Sequence, residues 1–201
     1  MLRRQDRQSG QGEWAAAGVD AADAQLLARV AGGERPAFDA LYRRYHPRLT
    51  RFLDRMTRRS GLVEEVLNDT MVVVWHQAAR YNGGSKVSTW IFAIAYRKAL
   101  KALRRFDEPP AQDDAIPEQV DTGPGPEQLL GRAEALAALG QALAGLSAEH
   151  RAVVELTYFH DMAYREIAEI VDCPVDTVKT RMFHARRRLK LLLSGALEDW
   201  L

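Results

Sequence analysis

Apolar positions along most of this chain recur at spacings of three and four residues, which is the pattern of helices with one buried face. The clearest stripe falls on one side of a single helix and consists of Phe38, Leu41, Tyr42, Tyr45, Leu49, Phe52, Leu53 and Met56. No segment alternates apolar and polar residues for long enough to predict a strand, and VVVW at residues 72–75 lies within a helical pattern. We therefore expect an all-α protein.

Glycine, serine and proline residues mark the ends of the first two predicted helices. The segment DAQLLARVAGGE is typical of a short helix that Gly32 and Gly33 end. Pro36 suits the first turn of the next helix, because that position needs no partner for a backbone N–H. Ser60 and Gly61 are expected to separate this second helix from the third.

Two further helices complete the N-terminal block. The third is predicted from Leu62 to about Ala79, and the polar residues 81–85 favour a loop after it. Ser88 is a suitable N-cap for the fourth helix, because its hydroxyl can accept a hydrogen bond from an unpaired N–H of the first turn. That helix is expected to end near Arg105.

A change of composition separates this block from the rest of the chain. Residues 106–128 contain seven acidic residues and five prolines but no Lys or Arg, so they cannot bury enough apolar surface to offset the entropy of ordering. We expect a flexible acidic linker here, between an N-terminal helical bundle at 22–105 and a C-terminal helix-turn-helix domain at 129–201. Residues 1–21 are polar and are expected to form a mobile tail. The prediction is two small helical domains on a tether.

The C-terminal block has the layout of a helix-turn-helix. Residues 164–171 are predicted to form its first helix, and Asp172 and Cys173 its turn. Pro174 suits the first position of the second helix. Asp176 follows in the first turn, where the positive end of the helix dipole favours an anion.

The second of these helices is basic on one side. Residues 178–190 contain six Lys or Arg residues and no acid, which is unusual for an incidental solvated face. A helix in this position of the motif enters the major groove of duplex DNA, where such side chains contact guanines and phosphates. We call this set the basic face: Thr177, Lys179, Thr180, Arg181, His184, Arg187 and Arg188.

Composition excludes several other classes of protein. The net charge of +1 is ordinary, and no run approaches the ~18 apolar residues of a membrane span. The single cysteine allows no intramolecular disulfide and suits a reducing cytosol, and the N-terminus lacks a secretory signal. We expect a soluble, cytoplasmic protein. Cys173 with His160 and His184 lacks the four-ligand spacing of a structural zinc site, so no metal, redox centre or cofactor is predicted.

The N-terminal block adds a second candidate for nucleic-acid chemistry. A helix with acids at Glu64, Glu65 and Asp69 precedes a loop that holds Ser85 and Lys86, and an aromatic and basic helix follows. Each part alone has an ordinary explanation as a solvated face, a core aromatic or a complement to a helix dipole. Together they indicate a helix that docks a basic partner beside a surface for single-stranded or melting DNA.

With these motifs in order, the chain resembles the extracytoplasmic-function sigma factors of the sigma-70 family. The resemblance covers about residues 22–105 and 129–193. It is carried by LVEEVLNDTMVVVW, GGSKVSTWIFAIAYRKALKALRR and LSAEHRAVVELTYFHDMAYREIAEIVDCPVDTVKTRMFHARRRLK.

The resemblance implies a role for each segment. The positions that match the segment docking on the core of bacterial RNA polymerase are Glu64, Glu65, Asn68 and Asp69. Those that match the reader of the −10 element, where a base is flipped from the melting duplex, are Asn82, Gly84, Ser85, Lys86, Trp90, Arg97 and Lys101. Those that match the −35 reader are Thr177, Lys179, Thr180, Arg181, His184 and Arg187.

The resemblance also implies partners: core RNA polymerase, promoter DNA and an inhibitory anti-sigma factor, with no catalytic residue and no insertion into a membrane. The acidic linker would either thread the nucleic-acid channel of the polymerase or serve as a simple tether. Two rivals remain open on the residues alone. One is a stand-alone DNA-binding regulator, and the other is a nuclease with Glu65, Asp69 and His76 as metal ligands.

Overall fold

The computed structural model describes residues 20–107 and 138–197, and these form eight α-helices with no strand. The prediction of an all-α fold in two helical regions is confirmed. Within the described residues, no helix has the length and apolar character needed to cross a membrane. The helices are α1 (20–31), α2 (Arg35–Thr57), α3 (Ser60–Gln77), α4 (Val87–Asp107), α5 (138–144), α6 (Ala148–Tyr158), α7 (Tyr164–Val171) and α8 (Val175–Leu197).

The predicted end of α1 and the predicted start of α2 are confirmed. Gly33 has a φ of 83°, in the left-handed region that glycine enters without strain, and it ends α1 as expected. Pro36 lies in the first turn of α2. Helix α1 already includes residues 20 and 21, at the C-terminal end of the predicted tail. The remainder of the predicted tail, most of the predicted linker and residues 129–137 lie outside the described residues.

The break between α2 and α3 differs from the prediction. Arg58 has a left-handed φ of 55° and donates its N–H to the Asp54 carbonyl at 2.8 Å, which ends α2. Ser60 and Gly61 do not break a helix but open α3. A first helical turn tolerates them because its N–H groups lack intrahelical partners in any case. The α3 helix ends at Gln77, and a short 3-10 turn follows at Ala78–Arg80.

The start of α4 is capped from a distant part of the chain. The helix begins at Val87, so Ser88 is not its N-cap. The Asp20 carboxylate accepts the Val87 N–H at 3.1 Å and thereby performs the role expected of Ser88. At its other end α4 continues to Asp107, two residues into the predicted linker.

A buried carboxylate fixes α1 on α2. Asp23 is 2% exposed, and its Oδ2 accepts the Tyr45 hydroxyl at 2.6 Å while its Oδ1 pairs with Arg44. Burial, followed by the nearby Asp23 carboxylate, raises the pKa of Tyr45, so its hydroxyl remains a donor. A buried charge is tolerated here because both of its oxygens are paired.

Helix α4 is buried on more than one side. All six residues from Ile91 to Tyr96 are buried, which a helix packed on a single face does not show. Phe92 of α4 contacts both regions. Its ring centroid lies 5.3 Å from that of Phe52 in α2 and 4.8 Å from that of His160 in the C-terminal region. The α7 helix packs along α4, and α6 packs against α2. We call this packing of the two regions the closed arrangement.

A buried arginine joins the two regions. Arg151 of α6 is 8% exposed and donates to the carbonyls of Arg55 and Met56 at the end of α2, at 3.4 and 2.8 Å. The same guanidinium donates to carbonyls around the end of α5, those of Leu143, Ala144 and Leu146. Since the last carbonyls of a helix lack intrahelical donors, a cation there satisfies them and complements the helix dipole.

Replacement of Arg151 by methionine should lower the free energy of unfolding by about 3 kcal/mol, because several buried carbonyls lose their donor while the apolar stem is kept. Urea unfolding of the full chain measures the change. The matched control is Arg188→Met on the exposed side of α8, which should change the midpoint little. Equal, small effects of both variants would contradict the role assigned to Arg151.

Candidate nucleic-acid and polymerase interface

The helix-turn-helix forms from α7 and α8 as predicted. Asp172 takes a left-handed φ of 53° at the end of α7, and the Cys173 N–H donates to the Ala168 carbonyl at 3.1 Å. Pro174 lies just before α8, one residue outside its predicted place, and its carbonyl accepts the Thr177 N–H at 2.9 Å. The turn is therefore held by backbone hydrogen bonds on both sides.

Cys173 serves this turn as a small, half-buried side chain. Its Sγ lies 3.6 Å from the Pro174 carbonyl oxygen, and it packs at the edge of the core. In the stretches 20–107 and 138–197, no three His, Cys, Asp or Glu side chains are grouped closely enough to hold a metal ion.

Most of the basic face is exposed along α8. His184 and Arg187 are exposed, whereas Lys179 pairs with Asp176 at 2.9 Å on the first turn. Arg186 turns away from this face, because its Nε and Nη2 donate to the Tyr158 hydroxyl at 3.0 and 2.7 Å. The opposite side of α8 supplies the core residues Val178, Met182 and Ala185.

Arg181 has a different environment from the other members of the basic face. It is half-buried, and its guanidinium approaches the Tyr96 hydroxyl of α4. Burial raises the pKa of Tyr96, and the positive charge of Arg181 opposes that shift. The Arg181 Nη1 is buried and makes no hydrogen bond among the described residues. One predicted −35 contact thus lies against the N-terminal region in the closed arrangement.

The loop before α4, which we call the reading loop (81–86), has a defined internal structure. The Asn82 side-chain oxygen accepts the Gly84 N–H at 3.0 Å, and Gly83 has a left-handed φ of 73°. The Tyr81 hydroxyl donates to the Ser85 carbonyl, and its ring packs 5.6 Å from that of Trp90. The packed rings of Tyr81 and Trp90 thus support the conformation of the loop.

Lys86 ends the reading loop with a contact to the other region. Its Nζ lies 2.9 Å from the Glu166 Oε1 of α7, and this ion pair raises the pKa of Lys86. The second oxygen of Glu166 accepts the Ala163 N–H at 2.8 Å and caps α7. Further along α4, Arg97 and Lys101 are exposed and lie one turn apart.

The predicted polymerase-docking residues lie together on α3, but each has an internal partner. Glu65 pairs with Arg105 at 3.1 Å and Asp69 with Lys98 at 2.9 Å, both across the α3–α4 contact. The ring Nε2 of His46 lies 3.7 Å from the Glu64 carboxylate, and the Tyr42 hydroxyl donates to Asn68 at 3.4 Å. The acids are about half exposed, so they remain accessible to a basic partner.

Sequence reasoning missed an apolar surface on the C-terminal region. Tyr158 and Phe159 are 56% and 46% exposed at the end of α6. They border an open groove of about 370 Å³ between α5, α6 and α8, whose other walls include Leu139, Leu143 and Leu189. The groove exposes apolar side chains from all three helices to solvent. The consecutive aromatic pair TYFH at the end of a helix was the available signal.

Comparison with known proteins assigns the family. Residues 41–107 match the family described as Sigma-70 region 2, and residues 136–189 match Sigma-70, region 4. The ECF RNA polymerase sigma factor RpoE of Cereibacter sphaeroides is 30% identical over 167 residues, 80% of this chain and 88% of that protein. The chain belongs to the sigma-70 family, in its extracytoplasmic-function group. As a sigma factor, it directs promoter-specific initiation of transcription.

Other relatives agree in length and fold. The ECF RNA polymerase sigma-E factor of Salmonella typhimurium is 30% identical over 176 residues, 83% of this chain and 92% of that protein. The solved structure of CnrH in complex with the cytosolic domain of CnrY is 26% identical, with a TM-score of 0.65. That match covers 87% of this chain and 98% of CnrH. The sigma-factor fold therefore extends over most of the chain.

A half-buried histidine lies at the contact between the two regions of this sigma factor. The His160 ring meets those of Phe52 and Phe92 edge-on, at centroid distances of 5.9 and 4.8 Å. Burial, with smaller contributions from Arg48, Arg55 and Arg51, lowers the pKa of His160 to about 4. Protonation of this ring would place a charge between two aromatic side chains that join the regions.

Acid should therefore weaken the closed arrangement through His160. The unfolded chain binds this proton near the ordinary pKa of 6.5, and the folded chain only near 4. The stabilising contribution is complete above about pH 6.5 and is lost as the pH falls towards 4. Chemical denaturation at a series of pH values should show a smaller acid-induced loss in His160→Gln than in the unmodified protein. The exposed control His76→Gln should keep the original pH dependence.

Proposed function

We propose that the two regions of this sigma factor divide promoter recognition between them. Residues 129–201 read −35 duplex DNA with α8, through Thr177, Lys179, Thr180, Arg181, His184 and Arg187. Residues 22–105 bind core polymerase and open −10 DNA. The proposed −10 contacts are Asn82, Gly84, Ser85, Lys86, Trp90, Arg97 and Lys101, and the proposed polymerase contacts are Glu64, Glu65, Asn68 and Asp69.

The observation that carries this proposal is the exposed cationic surface on the second helix of a helix-turn-helix, in a chain of the sigma-70 family. Arg and His side chains such as Arg187 and His184 supply hydrogen-bond donors for guanine edges and phosphates. We assign the chain no catalytic residue, and we place it in the cytoplasm with the polymerase that it serves.

The closed arrangement covers some of the proposed promoter contacts. Lys86 of the reading loop is paired with α7, and Arg181 of the −35 helix lies against α4. Each region thus covers a DNA contact of the other. The two regions must separate before both elements can be contacted, and binding to polymerase would supply the free energy for that separation.

The acidic side chains of α3 can exchange their internal partners on α4 for basic groups of the polymerase. Surface ion pairs such as Glu65–Arg105 contribute about 0–1 kcal/mol, so a basic surface of the polymerase can replace them at small cost. Exchange would also release Lys98 and Arg105 at the basic end of α4. Docking on polymerase would then raise the positive charge available to promoter DNA.

An anti-sigma factor is the proposed regulator. CnrH, which this chain resembles over most of its length, was solved with the cytosolic domain of CnrY. The sigma factor RpoE from Bartonella quintana was solved in complex with the anti-sigma factor NepR. In the present chain the apolar groove beside Tyr158 offers a surface for polymerase that such an inhibitor could cover.

Transcription with purified core polymerase tests the proposal and separates it from a stand-alone regulator. The full chain should bind core and direct initiation from a defined class of promoters, whereas a stand-alone regulator would bind its site tightly without polymerase. Arg187→Ala should lower −35 affinity about tenfold and leave core binding unchanged. Failure of the unmodified chain both to bind core and to redirect initiation would falsify the sigma-factor proposal.

Glu65→Gln provides the complementary test of polymerase docking. It should weaken core binding, measured by fluorescence anisotropy, with little change in DNA affinity for the assembled holoenzyme. Arg105→Gln is the matched control, since it breaks the same internal ion pair but keeps the carboxylate. Equal weakening by both variants would show that the ion pair matters, and not contact between Glu65 and polymerase.

Glu166→Gln should release Lys86 without disturbing α7, because glutamine retains an oxygen for the Ala163 N–H. The free protein should then bind single-stranded −10 DNA about twofold to fivefold more tightly, the equivalent of one surface ion pair. Fluorescence anisotropy with a labelled oligonucleotide measures the change. Glu169→Gln on the same helix is the control, and an identical gain there would rule out release of Lys86 as the cause.

A further inference from the structure

A cavity of about 530 Å³ lies between the two regions, on the side of α2 that faces α6. Three arginines of α2 line it, Arg48, Arg51 and Arg55, at spacings of three and four residues that place them on one side of the helix. The C-terminal region contributes Glu155 and Asp161 as the acidic part of the wall. Both regions are therefore needed to form it.

The charge in this cavity is not balanced locally. Glu155 is fully buried, and its Oε2 accepts from Arg55 at 3.2 Å. Among the described residues, neither Arg48 nor Arg51 has a carboxylate within the 4.0 Å of an ion pair. The pKa of His160 agrees with this excess of positive charge. Burial is the main cause of its lowering, and the charges of the three arginines lower it further.

Aromatic rings hold two of the guanidinium groups in place. The Arg48 guanidinium lies over the rings of Tyr45 and Phe92, 5.3 and 5.4 Å from their centroids. Arg55 lies over Phe159 at 3.8 Å. Contact with a ring face restrains a guanidinium but leaves the N–H groups in its plane able to donate. The N–H donors of the cavity are thus already oriented in the free protein, so these side chains lose little conformational entropy when a ligand binds.

Oriented guanidinium groups bind oxyanions, and phosphate oxygens match their forked donors well. The cavity volume lies within the range of small-molecule sites and exceeds what one phosphate fills. The spacing of Arg48, Arg51 and Arg55 along two turns of α2 suits an anion with several oxygen-bearing groups in a row. A monoanion would engage only one of them at a time.

We propose that this cavity binds the di- or triphosphate group of a small molecule, such as a nucleoside triphosphate. The phosphate chain lies along Arg48, Arg51 and Arg55, and the His160 ring lines one end of the site. Binding of this ligand does not depend on promoter recognition, so it can be tested on the free protein.

Calorimetric titration of the full chain with pyrophosphate and with ATP, at about 150 mM salt, tests the proposal. We expect saturable binding to one site and a rise in the unfolding temperature that grows with ligand concentration. Arg51→Gln should weaken binding about tenfold, since this exposed side chain has no ion pair to disturb the fold when removed. Arg43→Gln, an exposed arginine of α2 outside the cavity, should bind as the unmodified protein does.

Two probes separate this site from general attraction between the protein and anions. Sulfate should bind at least about tenfold more weakly than pyrophosphate, because it engages fewer arginines. Absence of saturable binding, or equal losses in Arg51→Gln and Arg43→Gln, would overturn the proposal. A single-stranded oligonucleotide that binds more tightly than ATP with the same dependence on Arg51 would assign the cavity to a nucleic-acid backbone instead.

Discussion

The burial of α4 between two helical regions is the constraint on which the rest of this structure depends. One side of the helix completes the N-terminal bundle, and another side receives α7 and the His160 ring. Because α4 also carries three of the proposed −10 contacts, Trp90, Arg97 and Lys101, the contact between regions and the proposed contact with DNA involve parts of one helix. The closed arrangement thus covers the apolar side of α4 that faces the C-terminal region.

The two regions are joined by contacts of unequal strength. Arg151 is buried and satisfies carbonyls from both regions, whereas the Lys86–Glu166 pair is exposed and weakened by salt. Burial lowers the pKa of Arg151 and raises that of Glu155, so burial disfavours the charged form of both groups and their partners oppose that effect. The contacts of Arg151 near α2 therefore hold the two regions together. The weaker Lys86–Glu166 pair near the reading loop governs whether Lys86 is covered or exposed.

Helical periodicity predicted most of the fold because each helix buries a stripe that repeats along the sequence. It placed the helix-turn-helix and the second helix correctly, but it could not predict pairings between distant residues such as Asp20 with Val87 or Glu65 with Arg105. The unbroken apolar run Ile91–Tyr96 indicated burial without naming the partner. Arg151 and Glu155 look like exposed residues in sequence, since their burial depends on carbonyls and cations supplied by another region.

The reading loop is fixed at both ends before any ligand arrives. Tyr81 is held by Ser85 and Trp90 at one end, and Asp20 fixes Val87 at the other. Between them, the Asn82 side chain accepts the Gly84 N–H and closes a turn. For the proposed −10 contact, these restraints lower the conformational entropy that the loop would lose when a base enters. Selectivity would then depend on the shape of the loop in the free protein as well as on rearrangement after contact.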